Sequence, residues 1–113
     1  MKWLRWQKGR QQSGYDKMFL AGLPWPIAFD CYLLRFKKRS VVPPHTDKND
    51  KGKHIRLNVI LKQAKLGGEF ICDETIFESK RIKLFRPDLH QHQVTEIEQG
   101  TRWVLSVGWL KRH

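Results

Sequence analysis

Alternation is the feature that most limits what this chain can become. From position 54 to 62, Ile55, Leu57, Val59 and Leu61 fall on one side of an extended backbone, and His54, Arg56 and Asn58 on the other. The same period returns from 101 to 110. Here Arg102, Val104, Ser106 and Gly108 share one face, and Trp103, Leu105, Val107 and Trp109 share the other. Further short runs at 29–36, 41–42, 69–72, 76–77, 81–86 and 94–98 are set off by turn residues, Gly67-Gly68 and Gly100 among them. About eight short strands of this kind predict a mostly β sandwich or barrel. Residues 1–27 look different. Ser13-Gly14-Tyr15-Asp16 has the form of a capping box, Tyr15, Met18 and Phe19 recur at helical spacing, and Gly22 with Pro24 supplies a stop. A short N-terminal helical element is therefore expected ahead of the strands.

The bulk properties narrow the function. A chain of 113 residues suits one domain over 1–113, with the helical region at 1–27 and the β core at 28–112. An apolar fraction of 40% is ordinary for a folded protein and does not indicate disorder. No apolar run approaches the roughly 20 residues of a membrane span, and no secretion signal opens the sequence, so a cytoplasmic protein without a membrane partner is expected. Cys31 and Cys72 are then free thiols, neither in a setting that activates a nucleophile. The net charge of +11 points towards nucleic acid or another polyanion. Five tryptophans offer stacking surfaces for bases, although core and lid positions are the expected use.

The chemistry concentrates around His45-Thr46-Asp47. Residues two apart in a strand share a face, so His45 and Asp47 reach one metal while Thr46 points away. Two histidines and one carboxylate form the facial triad of mononuclear iron sites. Three histidines compete to complete it. His54 is expected to start the next strand at the surface, and His90 and His92 have equal parity, so that pattern alone barely separates them. The distance to Arg102 favours His92. Arg102 lies on the face with small and hydroxyl residues, where its planar fork suits a carboxylate, and Ser106 stands four residues on to donate a second hydrogen bond.

Taken in order, several pieces resemble the 2-oxoglutarate/Fe(II)-dependent oxygenase superfamily, especially its prolyl-hydroxylase-like branch. They are Leu34-Arg35-Phe36, His45-Thr46-Asp47, the strand from Arg56 to Leu61, Gly67-Gly68-Glu69-Phe70, His92, and Arg102-Trp103 with Trp109. The resemblance spans about residues 29 to 110. It implies a double-stranded β-helix, a jelly-roll or cupin-like fold of eight antiparallel strands. It also implies Fe(II) on His45, Asp47 and His92, and 2-oxoglutarate held by Arg102 with Ser106 and Asn58 nearby. The implied reaction is hydroxylation of a substrate C–H bond with release of succinate and CO2, and ascorbate is a further candidate cofactor. Two departures stand out: the loop before the motif is Lys37-Lys38-Arg39-Ser40, and the next strand lacks the usual carboxylate-binding tyrosine, leaving Asn58 or Gln63 to help.

On the substrate side the candidates are Arg35, Lys48, Arg56 and Trp103. The basic loop at 48–53 would guide an acidic or nucleic-acid-associated substrate. The short helical buttress implies a homodimer that covers an exposed sheet. Two other readings stand beside this one: a basic nucleic-acid-binding β-barrel module without catalysis, and a metal-binding pseudo-enzyme of the same fold.

Overall fold

The computed structural model describes residues 4–8, 14–23, 28–47 and 52–112. Every regular element among them is a strand. In chain order these are β1 (Trp6–Lys8), β2 (Asp16–Leu23), β3 (Ala28–Phe36), β4 (Val42–His45), β5 (Gly52–Lys62) and β6 (Leu66–Gly67). There follow β7 (Phe70–Cys72), β8 (Phe77–Glu78), β9 (Ile82–Phe85), β10 (His92–Val94), β11 (Ile97–Gln99) and β12 (Arg102–Arg112). A seven-stranded sheet runs β1-β2-β3-β12-β5-β9-β8, a three-stranded one β4-β10-β7, and β11 pairs with β6. Among the described residues the sheets do not join into a closed barrel.

The core lies where the layers meet. Phe36, Ile60 and Val104 from the large sheet pack with Val42 and Val94 from the three-stranded sheet and with Ile97 of β11. Burial alternates along β12, with Arg102, Val104, Ser106 and Gly108 all buried and the residues between them not. The Gly67-Gly68 turn holds both residues at positive φ (80° and 70°). A Cβ at Gly67 would run into the carbonyl oxygen of Glu96, so the turn closes only because that side chain is missing.

Among the described residues the expected N-terminal helix is absent, and Ser13, its proposed cap, lies outside them. Asp16 to Leu23 instead forms β2, paired with β3 from Asp16 opposite Arg35 to Leu23 opposite Phe29. The reason is the edge of β3. A sheet edge carries a row of backbone donors and acceptors, and an added strand satisfies them along its length. Helical spacing across only three apolar residues is weak against that demand.

Asp16 accordingly does not cap a helix. Its carboxylate accepts a hydrogen bond from Arg35 at 3.0 Å, with Lys8 at 3.4 Å and Lys37 at 3.9 Å. Burial alone would raise its pKa, but the Arg35 bond and the Lys37 and Lys8 charges outweigh that and leave it below the ordinary 3.8. An acid depressed in the folded state stabilises it above the unfolded pKa. Asp16→Asn is therefore expected to cost about 1–2 kcal/mol at neutral pH. The difference from wild type should close as the pH falls through and below 3.8, which urea unfolding across that range would measure.

No helix among the described residues is long and apolar enough to cross a membrane.

Candidate metal centre

His45 ends β4 and His92 opens β10, and the register places the two directly opposite one another. Their rings stand 4.3 Å apart between centroids. Asp47, two residues beyond the end of β4, completes the group. Its Oδ1 is 3.5 Å from His45 Nε2 and its Oδ2 is 3.5 Å from His92 Nε2. One ligand atom from each residue lies within 4.8 Å of the others, a spacing at which a single cation can draw all three together.

Both rings are aimed by the backbone. His45 Nδ1 lies 2.8 Å from the carbonyl of Pro43, and His92 Nδ1 lies 3.1 Å from that of His90. A carbonyl only accepts, so each Nδ1 donates in the neutral ring and each Nε2 is left as the lone-pair nitrogen facing Asp47. Each ring is thus held by the carbonyl two residues upstream of it. Asp47 is pinned by its own N–H, which donates to the carbonyl of the buried Pro87 at 2.7 Å. The Pro87 turn is fixed in turn by Arg86, whose fork reaches Asp88 at 2.9 and 2.6 Å. Asp88 also accepts the backbone N–H of His54 at 3.3 Å.

A cavity of about 270 Å³ opens from these ligands into the space between the layers. Arg102 lines it and is only 1% exposed. Its Nε and Nη2 have no hydrogen-bond partner. Burial lowers its pKa to about 10. The guanidinium stands 4.9 Å from the Phe36 ring, and Phe36 stacks on Tyr15 at 4.8 Å. Leu34, Val42, Phe70, Phe85 and Val94 make much of the remaining wall apolar.

The other expected site residues divide. Ser106 and Asn58 line the cavity, but the Ser106 hydroxyl donates to Asn58 Oδ1 at 2.6 Å and accepts from Arg56 at 2.6 Å. Its single proton therefore goes to Asn58 in the ligand-free protein. Arg56 also lines the cavity, with a further bond to Asp30 at 2.6 Å. That reach requires Gly108, because a Cβ there would collide with the Arg56 guanidinium. Arg35 and Trp103 face the opposite side of the sheet. Arg35 lies over the Trp6 ring at 4.0 Å, with the Trp103 ring at 6.0 Å. Their parity removes them from the substrate side, since neighbours of inward residues point outward. Lys48 lies outside the described residues.

His54 is not the surface residue its position suggested. It is half-buried on the cavity wall, where burial and the Arg56 charge lower its pKa. His90 turns instead to Glu74, at 3.5 Å. Tyr15, Lys17 and Tyr32 also line the cavity and escaped the sequence reading. The first two were assigned to a helix. Tyr32 was legible in principle, because it shares parity with Leu34 and Phe36.

No protein-family model matches the chain, and no curated protein does. Solved structures do. KdgF from Halomonas sp. aligns with a TM-score of 0.65 at 16% identity, over 96% of this chain and 87% of that one. The cupin domain of Schizosaccharomyces pombe Cnp3 aligns with a TM-score of 0.66 at 15% identity, over 95% and 69%. A cupin 2 conserved barrel domain protein from Rhodopseudomonas palustris gives 0.61 at 14%, over 96% and 71%. Likeness at such low identity speaks for architecture alone, and the architecture is that of a cupin.

Proposed function

We propose that this chain is an Fe(II)- and 2-oxoglutarate-dependent oxygenase of the hydroxylase type. The observation that carries the reading is Arg102. A buried cation with two unpaired donors is costly, and a fold retains one where a ligand offsets that cost. Arg102 lines the same cavity as the three metal ligands. A small dicarboxylate that chelates a metal at one end and presents a carboxylate at the other matches both features at once.

His45, Asp47 and His92 would hold the iron, the two rings by Nε2. Iron with 2-oxoglutarate and O2 would supply the oxidising power for a substrate C–H bond, releasing succinate and CO2. The chain's own share is positional. Arg102 orients the far carboxylate, and the backbone carbonyls at 43 and 90 fix the rings. An acidic or nucleic-acid-associated substrate is supported by the net charge of +11.

Anaerobic titration with Fe(II) and then 2-oxoglutarate tests the reading through the weak visible charge-transfer band of the chelate. The band is expected in wild type, absent in His45→Ala and weakened in Arg102→Met. Iron uptake with no response to 2-oxoglutarate would instead make this a metal-binding protein of other chemistry. No iron uptake, with salt-dependent nucleic-acid binding indifferent to His45→Ala, would favour a binding module. Turnover would then be followed as succinate release with ascorbate present.

A further inference from the structure

The large sheet is apolar on the side away from the cavity. In register, Leu105 of β12 lies between Leu33 of β3 and Val59 of β5, and Val107 lies between Cys31 and Leu57. β2 and β9 extend the face on either flank, with Met18 beside Leu33 and Ile82 beside Val59. None of these residues is buried, although they occupy the middle of the sheet. Trp109 and Ile82 are each 38% exposed and Leu23 is 52% exposed. The inward face of the same strands carries Arg102, Ser106, Asn58 and Arg56. The widest sheet thus sets its polar cavity residues inward, beside Phe36, Ile60 and Val104, and turns an aliphatic face outward.

We propose that this face is the interface of a homodimer, with the seven-stranded sheet of a second copy packed against it. Five strands at about 4.8 Å spacing and seven residues at about 3.4 Å rise cover on the order of 500 Å² in plan, and more in accessible surface. A monomer rarely exposes a contiguous apolar patch of more than a few hundred Å². A standard interface takes about 800 Å² from each partner, so the face is of the size a stable dimer uses. Two copies also match in shape, because identical sheets have identical twist and pack face to face about 10 Å apart at about −30°. Charge points the same way. The middle of the face carries no ionisable side chain other than the Cys31 thiol. Its charged groups stand at the ends, Asp16 with Arg35 at one and Lys53 opposite Lys111 at the other. Two strongly basic chains can meet there without opposing like charges, whereas a polyanion finds nothing to pair with. The inference is independent of the chemistry in the cavity.

Sedimentation velocity on the purified chain at micromolar concentrations is the test. The expected mass is twice the 13.5 kDa of one chain. Leu105→Asp, at the centre, is expected to weaken association about 30-fold or more. An acid in mid-sheet can also impair folding, so Trp109→Ser at the exposed end is the companion variant, expected to loosen the dimer with its circular dichroism unchanged. Alkylation gives a second readout. Cys31 should react several-fold more slowly in wild type than in the dissociated variant, while Cys72, on the three-stranded sheet, reacts alike in both. A wild-type monomer at every concentration overturns the proposal, and one that binds phospholipid vesicles assigns the face to a bilayer. A dimer that survives both substitutions, with Cys31 equally reactive throughout, also overturns it.

Discussion

Arg102→Met is expected to give a protein that is more stable than wild type and binds 2-oxoglutarate far more weakly. The two effects have one cause. Arg102 is 1% exposed, and its Nε and Nη2 have no partner in the ligand-free protein. Methionine occupies a similar path with no donor to satisfy and no charge to desolvate. Removing the uncompensated group should gain about 1–3 kcal/mol in chemical unfolding of the ligand-free chain. The gain has a defined pH profile. Burial lowers this guanidinium to about 10, so its charge is a burden at every pH below about 10 and is relieved only as the pH climbs above that. The stability gap should therefore stay level through the neutral range. Affinity for 2-oxoglutarate should fall roughly 100-fold by calorimetry, with iron affinity nearly unchanged, because only the far carboxylate loses its partner. A variant less stable than wild type would show that Arg102 is satisfied in the ligand-free protein, and the case for an anion there would fail.

The second large effect is on iron. Loss of any one of His45, Asp47 or His92 should lower Fe(II) affinity by more than the roughly 10–100-fold typical of outer-shell partners. The stability changes should differ among the three. His92 is 8% exposed and packs 5.1 Å from Phe85 and 6.5 Å from Phe70, so His92→Ala leaves a cavity and should cost about 2–4 kcal/mol. The Asp47 side chain is 39% exposed, and Asp47→Ala should cost much less while abolishing iron uptake equally. Paired equilibrium dialysis and urea unfolding separate the two quantities. An Asp47→Ala protein that still takes up iron at wild-type affinity would remove the carboxylate from the ligand set.

Much of this was legible in the sequence, and the failures have physical causes. Alternation placed β3, β5, β9 and β12 within a few residues, because each must separate two faces. The same pattern did not say which face is inner. Hydrophobic residues usually mark the core, yet here the inward set of β5 includes His54, Arg56 and Asn58, because that side lines a cavity. Arg35 and Trp103 show how sharp the parity rule is. Each is adjacent to a cavity residue, and one step along a strand sends the side chain to the other face. The pairing of Ser106 with Asn58 depends on register between strands 48 residues apart, which no local pattern reports. β2 was lost for a related reason: its strand character comes from the edge of β3, not from its own spacing.

The place of β12 has a kinetic consequence. This strand follows every other described strand in the chain, yet it stands in the middle of the large sheet, between β3 and β5. While the ribosome is still making residues 102–112, the two halves of the sheet have no common neighbour, and their inner edges remain open. The cavity is then also incomplete, since Arg102 and Ser106 have not arrived. Folding of this sheet must await β12 and then close its longest loops in one step, which is slow for a β topology and leaves unpaired edges exposed meanwhile.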